Sequence, residues 1–174
     1  MGDLKKLQTR AEWVKMNISS KDRIIDLGSG DLFVYQVTGL KPEVIVDANY
    51  KVVNGELYWR LQHRDELKKV PKLYGNFLVA DVTKPLPFSD NSFEVTVSTE
   101  VLEHVKNPRA VVEEGLRLSP KFVGTVPAGE HKNHFNIEYA LTRRHLEEIL
   151  AGWNYEIVEI ATRYWRGYGF VVRG

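Results

Sequence analysis

The 174-residue sequence contains no cysteine, which excludes disulfides, thiolate zinc sites and cysteine nucleophiles. No apolar run approaches the roughly 20 residues that a membrane-spanning helix needs. The stretch Met1–Lys6 lacks the apolar centre of a signal peptide. A formal charge of only +1 does not indicate a dedicated nucleic-acid binder. We therefore expect a cytoplasmic protein without a membrane span, built as one domain over residues 1–174.

The most informative stretch is a short apolar run that ends in two glycines. Ile24, Ile25 and Leu27 predict a buried strand, and Gly28 and Gly30 follow it with one residue between them. Gly28 can adopt a positive φ and turn the chain, and Gly30 leaves the backbone open to a ligand. A strand, a glycine turn and a helix start are typical of a nucleotide-binding crossover.

The residues around this turn favour a cationic ligand. The dinucleotide pattern G-x-G-x-x-G needs a glycine at position 33, which is Phe33. Asp26 and Asp31 flank the turn and would repel a pyrophosphate, by about 4 kcal/mol per close charge pair at an effective dielectric near 20. S-adenosylmethionine carries a sulfonium and an ammonium group and no phosphate, so the pattern favours it over NAD. A tight strand–helix turn without a ligand is the alternative.

A second acid follows the next predicted strand. Val44–Val46 is β-branched and apolar, and Asp47 lies 21 positions after Asp26 (47 − 26). An acid about 20 residues past the glycine turn can accept the hydroxyls of a ribose. The alternative is a carboxylate that caps the following helix.

The remaining pattern alternates strands and helices. A helix is predicted over Leu4–Met16, and leucines at 57, 61 and 67 suggest another within the basic region 49–73, read as a solvated helix face. Glu100–Val105 is predicted to begin a helix. Further strands are predicted over 76–80, 93–97 and 121–126, and a hairpin over 155–161 and 167–172. The fold class predicted is α/β, a Rossmann-like doubly wound and mostly parallel sheet with an antiparallel strand in the C-terminal hairpin.

Three stretches in register resemble a known family. They are Ile24–Gly30 (IIDLGSG), Ala80–Val82 with Leu86–Glu94 (ADV and LPFSDNSFE), and Ser98–Val105 (STEVLEHV). The chain is similar to class I S-adenosylmethionine-dependent methyltransferases, and most closely to their type-11 group. The resemblance implies a seven-stranded sheet, with an N-terminal helix in 1–18, the cofactor-binding core in 23–127, and a substrate-side loop, helix and hairpin in 128–174.

The resemblance also implies roles for ten residues around the cofactor. They are Asp26, Gly28, Ser29 and Gly30 at the methionine end, Asp47 at the ribose, Ala48, Asp81 and Val82 at the adenine, and Ser98 and Thr99 below the methyl group. The family often has a third glycine where this chain has Leu32. The chain also has little length beyond the core sheet to form a cover over a substrate.

Three histidines are candidate general bases. His104 follows the fourth predicted strand, and His131 and His134 follow the fifth. An unperturbed histidine titrates near pH 6.5 and can accept a proton from an acceptor. For His104 the alternative is packing within its helix, and for His131 and His134 it is substrate contact. The spacing lacks the H-E-x-x-H arrangement, so no metal is expected.

These observations predict a methyltransferase that acts on a small molecule or biosynthetic intermediate, with an oxygen or carbon nucleophile, and releases S-adenosylhomocysteine. Base N-methylation is disfavoured because no Asn-Pro-Pro-Tyr-like motif follows the fourth strand. Alternatives are an RNA or protein methyltransferase, which would use the basic 60–72 region and the aromatic hairpin turn, and a catalytically silent cofactor-binding subunit. The sequence does not indicate an oligomeric state.

Overall fold

The computed structural model describes residues 7–61, 65–128, 141–161 and 166–174. Its helices are α1 (Arg10–Asn17), α2 (Phe33–Thr38), α3 (Pro108–Leu118) and α4 (Arg143–Leu150), with a one-turn 3-10 helix at Leu102–His104. Its strands are β1 (Ile24–Leu27), β2 (Val44–Val46), β3 (Tyr50–Val53), β4 (Glu56–Leu61), β5 (Glu66–Lys69), β6 (Asn76–Leu78), β7 (Val95–Thr99), β8 (Lys121–Pro127), β9 (Asn154–Ala161) and β10 (Arg166–Arg173).

Seven strands form one sheet in the order β6-β2-β1-β7-β8-β10-β9. The pairs from β6 to β8 are parallel, whereas β10 is antiparallel to both β8 and β9. This confirms the predicted Rossmann-like sheet with an antiparallel strand in the C-terminal hairpin. The strand order reverses between β1 and β7, and ligands bind at such a switch point in open α/β sheets.

The central strands are apolar because both faces of the sheet are covered. Ile25 and Leu27 pack into one core layer and Ile24 into the other, as alternating side chains of a strand must. All four residues of β1 are buried, including Asp26. A carboxylate in a strand buried on both faces requires an explanation, since such strands normally read as unbroken hydrophobic runs.

The prediction of helix within residues 49–73 is wrong. β3, β4 and β5 form a separate antiparallel three-stranded sheet, whose first hairpin turns at Asn54 (φ 51°) and Gly55 (φ 79°). Asn-Gly is the preferred pair for such a turn because both positions need a positive φ. Leu57 and Leu61 misled the interpretation because a spacing of four suits one face of a strand as well as of a helix.

Two helix starts also differ from the prediction. The helix expected from Glu100 is only the turn Leu102–His104, because Glu100 has a left-handed backbone (φ 58°) that a helix cannot include. The N-terminal helix was expected from Leu4, but it begins at Arg10. Thr9 caps it: the Thr9 hydroxyl accepts from the Glu12 amide at 3.2 Å, and the Glu12 carboxylate accepts from the Thr9 amide at 2.7 Å. Residues 1–6 lie outside the described part.

Candidate cofactor-binding site

A cavity of about 130 Å³ opens at the carboxyl ends of β1 and β7. Five of the residues predicted from the sequence line it: Asp26, Gly28, Ser29, Gly30 and Thr99. Residues that the sequence analysis did not single out for the site complete the lining, chiefly Arg10, Trp59, Glu100 and the first turn of α2. The cavity therefore lies at the topological switch point, where the glycine turn was expected to meet its ligand.

The glycine turn has a backbone that only small residues accept. Gly28 has φ +79°, and a Cβ there would lie 2.4 Å from a methyl carbon of Val101. The Gly28 amide donates to the Val46 carbonyl at 2.7 Å, which ties β1 to β2. Leu32 also has a left-handed backbone, φ 61°, at the position where the resembling family often has glycine. This costs about 1–2 kcal/mol, which burial of the Leu32 side chain offsets.

Asp26 is a buried carboxylate that lacks a full set of partners. Its residue is 2% exposed, and burial raises its pKa to about 7, while the nearby Tyr35 hydroxyl and Arg10 charge act in the opposite direction. Tyr35 is close, yet within the described residues neither Asp26 Oδ1 nor the Tyr35 hydroxyl has a partner in hydrogen-bond geometry. Since buried polar atoms normally have partners, this unpartnered oxygen makes Asp26, a residue of the cavity lining, a candidate contact for a ligand.

Asp47 lies beside the glycine turn and outside the cavity lining. Its Oδ2 accepts from the Gly30 amide at 3.1 Å and its Oδ1 from the Asn49 amide at 2.8 Å. Burial raises its pKa, and these two hydrogen bonds act to lower it. The Asn49 side chain also bonds Asp47, which leaves about one of the four acceptor sites of the carboxylate, so Asp47 can orient the turn and accept a ribose hydroxyl at the same time.

The other predicted residues are spread around this edge of the sheet. Ala48 is exposed, and Asp81 accepts from the Thr83 amide at 2.9 Å and its hydroxyl at 2.7 Å, which lowers the Asp81 pKa. Val82 is buried in the core, and the buried Ser98 hydroxyl donates to the Leu27 carbonyl at 2.9 Å. The structure does not bring these four into the cavity lining.

Of the three candidate bases, the described residues include only His104. Its ring is exposed, and its Nε2 lies 3.6 Å from Glu103 Oε1. His131 and His134 lie in 129–140, outside the described ranges. Across those ranges, no group of three or more His, Asp or Glu side chains could hold a metal ion.

The sequence analysis missed a second acidic pair at the end of β7. The Glu100 amide donates to the Thr125 carbonyl at 2.9 Å, and its Oε1 accepts from the Thr125 hydroxyl at 3.1 Å. Glu103 is 2% exposed, and its Oε2 has no partner in the described part of the chain. Burial raises the pKa of both carboxyl groups, with Arg10 acting to lower them. No short motif marks Arg10, because packing of α1 brings it here.

It also missed the aromatic residues of the three-stranded sheet. The Tyr50 hydroxyl donates to the Gly30 carbonyl at 3.0 Å and lies 2.8 Å from Ser29 Oγ. Ring carbons of Trp59 lie 3.5 Å from where a Cβ on Gly30 would stand. The Asn54-Gly55 pair between apolar runs was the signal that could have placed these rings on strands.

The site suits a small ligand that carries positive charge. Its lining contains three acids, Asp26, Asp31 and Glu100, and one base, Arg10. Asp31 is ion-paired with Lys68, and burial raises the pKa of the other two acids, so a cationic group favours their ionised forms and a phosphate does not. A turn that excludes side chains and an unpartnered carboxylate oxygen both fit the amino-acid end of S-adenosylmethionine. The described residues therefore fit that cofactor.

Comparisons with known proteins agree with this geometry. Residues 25–120 match the profile of the type-11 methyltransferase family, described as "Methyltransferase domain". A comparison of the sequence with curated proteins gives no match. In the described residues, no helix is both long and apolar enough to cross a membrane.

Solved structures share the fold at low identity. A S-adenosylmethionine-dependent methyltransferase from Aquifex aeolicus has a TM-score of 0.63 at 18% identity, covering 95% of this chain and 90% of its own. A chain of the Haloferax volcanii complex between the Trm112 methyltransferase activator and a methyltransferase has a TM-score of 0.64 at 18% identity, covering 90% and 83%. The [4+2]-cyclase SpnF has a TM-score of 0.59 at 14% identity, covering 92% and 79%.

Proposed function

Because the chain belongs to the type-11 family of S-adenosylmethionine-dependent methyltransferases, we propose that it methylates a small molecule or biosynthetic intermediate in the cytoplasm, as one domain of residues 1–174. The observation that carries the proposal is the unpartnered Asp26 oxygen beside a glycine turn at the sheet's switch point. An acceptor with an oxygen or carbon nucleophile is favoured by the absence of a base-methylating motif after β7.

Different residues around the cavity would bind different parts of the cofactor. Asp26 would accept from the ammonium group, with the backbone of Gly28, Ser29 and Gly30 along the methionine chain. Asp47 would accept a ribose hydroxyl through its remaining acceptor site. Listed by the group they would face, the others are Ala48, Asp81 and Val82 at the adenine and Ser98 and Thr99 beneath the methyl group.

Methyl transfer mainly requires that the acceptor, the methyl group and the sulfur lie in a line. The cofactor, when bound, supplies a methyl group on a sulfonium, which is already a good leaving group. The chain then has to hold the acceptor in line and exclude water. A hydroxyl acceptor must also lose its proton, for which His104, His131 and His134 are the candidates.

The first test is calorimetric titration of the purified chain with S-adenosylhomocysteine and, separately, with NADH. We expect micromolar binding of the first ligand only, with loss of at least tenfold in affinity in Asp47→Ala and in Asp26→Asn. Asp65→Asn is the matched control, because the Asp65 side chain is 81% exposed. Absence of binding to the wild type would contradict the proposal.

The acceptor class needs a second test. Methyl-labelled S-adenosylmethionine would be incubated with a cell extract separated into metabolite, RNA and protein fractions. We expect label to transfer to the metabolite fraction. Label in RNA or protein would replace the proposed acceptor, and cofactor binding with no transfer to any fraction would indicate a catalytically silent subunit.

A further inference from the structure

One row of the three-stranded sheet lies against the glycine turn. Tyr50 pairs with Trp59 across β3 and β4, and Trp59 pairs with Lys68 across β4 and β5. Directly paired residues project from the same face of a sheet, so the three side chains form one row. The Tyr50 hydroxyl donates to the Gly30 carbonyl at 3.0 Å, and the other two side chains continue this contact along the turn.

The Trp59 indole fills the space that Gly30 leaves beside the backbone. Two of its ring carbons lie 3.5 Å from where a Cβ on Gly30 would stand. Next to it, the Lys68 ammonium forms an ion pair with the Asp31 carboxylate. We call Trp59 and Lys68 the gate, because they cover Gly30, which the sequence predicts to be open to a ligand, and its neighbour Asp31.

The cavity beside the gate is too small for the whole cofactor. Its volume of about 130 Å³ matches about four waters at roughly 30 Å³ each, whereas pockets that enclose a whole ligand start near about 300 Å³. Asp47, proposed for the ribose, is 7% exposed and does not belong to the described lining. In this arrangement the two ends of the proposed site do not form one pocket.

Gly30 lies where the two ends have to join. It lines the cavity, and its amide donates to Asp47 at 3.1 Å. A ligand that reaches from the cavity to Asp47 therefore has to pass Gly30, where the Trp59 indole stands. The proposed cofactor and the closed gate compete for the same space.

Two features make the closed position easy to leave. Trp59 Nε1 is buried, and among the described residues nothing accepts from it, although buried indole N–H groups usually have a partner. All four residues of β5 are exposed, so movement of this strand uncovers little apolar surface. Tyr50 and Leu57, by contrast, are buried in the core and hold the rest of the three-stranded sheet in place.

We propose that the gate opens to admit the cofactor: Trp59 and Lys68 move off Gly30 and Asp31, and the cofactor then occupies the space beside Gly30. The inference rests on the proposed function, because it assumes that S-adenosylmethionine binds at this turn. It adds a conformational step that controls the rate of cofactor binding. A ligand that binds only the open state has an apparent affinity reduced by the fraction of chains that is open.

The first test removes the ion pair that holds the gate. Stopped-flow fluorescence would measure the association and dissociation rates of S-adenosylhomocysteine with the wild type and with Lys68→Met. Because an exposed ion pair contributes little to stability, we expect the association rate to rise about twofold to fivefold. The dissociation rate should stay within about twofold of wild type, because the gate is open in the bound state.

Lys69→Met is the matched control for this variant. Lys69 is the next residue of β5 and projects from the opposite face. Its side chain is 59% exposed, against 52% for Lys68, and forms an ion pair with Glu56 away from the turn. Its removal should change neither rate.

The second test locks the gate shut. Because the chain has no cysteine, Asp31→Cys with Lys68→Cys gives a single thiol pair, which a bifunctional methanethiosulfonate bridges and dithiothreitol releases. We expect calorimetry to show binding of S-adenosylhomocysteine at least about tenfold weaker in the bridged protein, with recovery on reduction. Asp31→Cys alone, blocked with methyl methanethiosulfonate, controls for bulk beside the turn and should bind like its unblocked form.

The outcomes separate the gate from the proposed function. Unchanged association in Lys68→Met, or an equal change in Lys69→Met, would overturn the gate, and so would a bridged protein that binds as tightly as the reduced one. In each of these cases S-adenosylhomocysteine still binds and the proposed function stands. If the wild type does not bind S-adenosylhomocysteine, the proposed function fails and the gate with it. Thermal melts establish that the variants fold.

Discussion

Buried carboxylates lie at two places near β7, and they differ in how many hydrogen-bond donors surround them. Toward the amino end, Glu114 is 7% exposed, and both of its carboxylate oxygens accept hydrogen bonds. Its Oε1 accepts from the Leu86 amide at 2.7 Å and from Arg117 at 2.6 Å, and its Oε2 from Arg117 at 2.8 Å. Arg117 in turn donates to the Phe88 and Leu86 carbonyls and to Asp90.

Asp26 pairs with Val97 in the middle of β7, and Glu103 lies beyond the carboxyl end of that strand. Each keeps an oxygen without a partner among the described residues. Both are as buried as Glu114, so depth does not explain the difference. A protein that needed these acids only for stability would gain by pairing them. Asp26 lines the cavity, and a buried acceptor left without a partner there is typical of a site whose partner is a ligand.

The largest effect is expected from removing Arg117, the partner of the buried Glu114. Arg117→Met leaves Glu114 buried without its cation and should lower the free energy of unfolding by about 3 kcal/mol, the lower end of the range for buried pairs, because the Arg117 side chain is 30% exposed. Urea denaturation measures this. Affinity for S-adenosylhomocysteine should not change.

The control for this variant is Arg144→Met, which removes an ion pair with Glu148 in which the arginine is 86% exposed. We expect a loss of at most about 0.5 kcal/mol there. If both variants cost the same, Glu114 and Arg117 do not form a structural pair of the kind described.

Asp26→Asn should stabilise the protein, in contrast to the loss of stability expected for Arg117→Met. The Asp26 pKa is raised to about 7 from 3.8, so the unfolded state loses its proton first as the pH rises, and stability falls between about pH 4 and pH 7. The neutral variant avoids this fall, and at pH 8 we expect the ligand-free protein to gain about 1–3 kcal/mol. Denaturation curves at pH 4 and pH 8 test this, and an equal difference at both values would contradict it.

Cofactor affinity should depend on the same proton. A cationic ligand group prefers the ionised carboxylate, so below pH 7 binding must first remove the Asp26 proton. We expect affinity for S-adenosylhomocysteine to fall up to tenfold for each pH unit below 7 and to level off above 8. Calorimetry in two buffers of different ionisation enthalpy counts the proton released at pH 6. If the wild type releases no proton on binding at pH 6, Asp26 does not bind the cationic group of the ligand.

Glu103→Gln is expected to have the smallest effect on stability. Burial raises the pKa of Glu103, and the nearby Glu100 charge adds to the effect, so the carboxylate destabilises the fold as the pH rises past its ordinary value. We expect the glutamine variant to be more stable by about 1 kcal/mol at pH 8 and equal to wild type at pH 4. A loss of stability at pH 8 would mean that Glu103 has a stabilising partner.

Most residues of the cavity lining that the sequence analysis singled out lie close together in the chain. Asp26, Gly28 and Gly30 are adjacent in the chain, and their spacing alone dictates a turn at a strand end. The seven-stranded sheet was also predictable, because its strands are short apolar runs bounded by turn residues.

What the sequence did not predict depends on long-range packing. Arg10 reaches the cavity because α1 lies across the sheet, with Trp13 packed so closely on Gly169 that a Cβ there would lie 2.7 Å from the indole. Trp59 reaches it from β4 of the three-stranded sheet. Neither position carries a local signal of function, although Asn54-Gly55 did indicate the hairpin that presents Trp59.

The position of β1 between β2 and β7 also has a kinetic consequence. The Ser98 hydroxyl bonds the Leu27 carbonyl 71 residues away, so the cavity forms only after a long loop has closed, whereas the three-stranded sheet and the β9–β10 hairpin pair neighbouring segments. Non-local pairing of this kind is slow. A ligand that recognises only the completed cavity stabilises the native state and not the transition state. S-adenosylhomocysteine should therefore slow unfolding in stopped-flow experiments and leave the refolding rate unchanged.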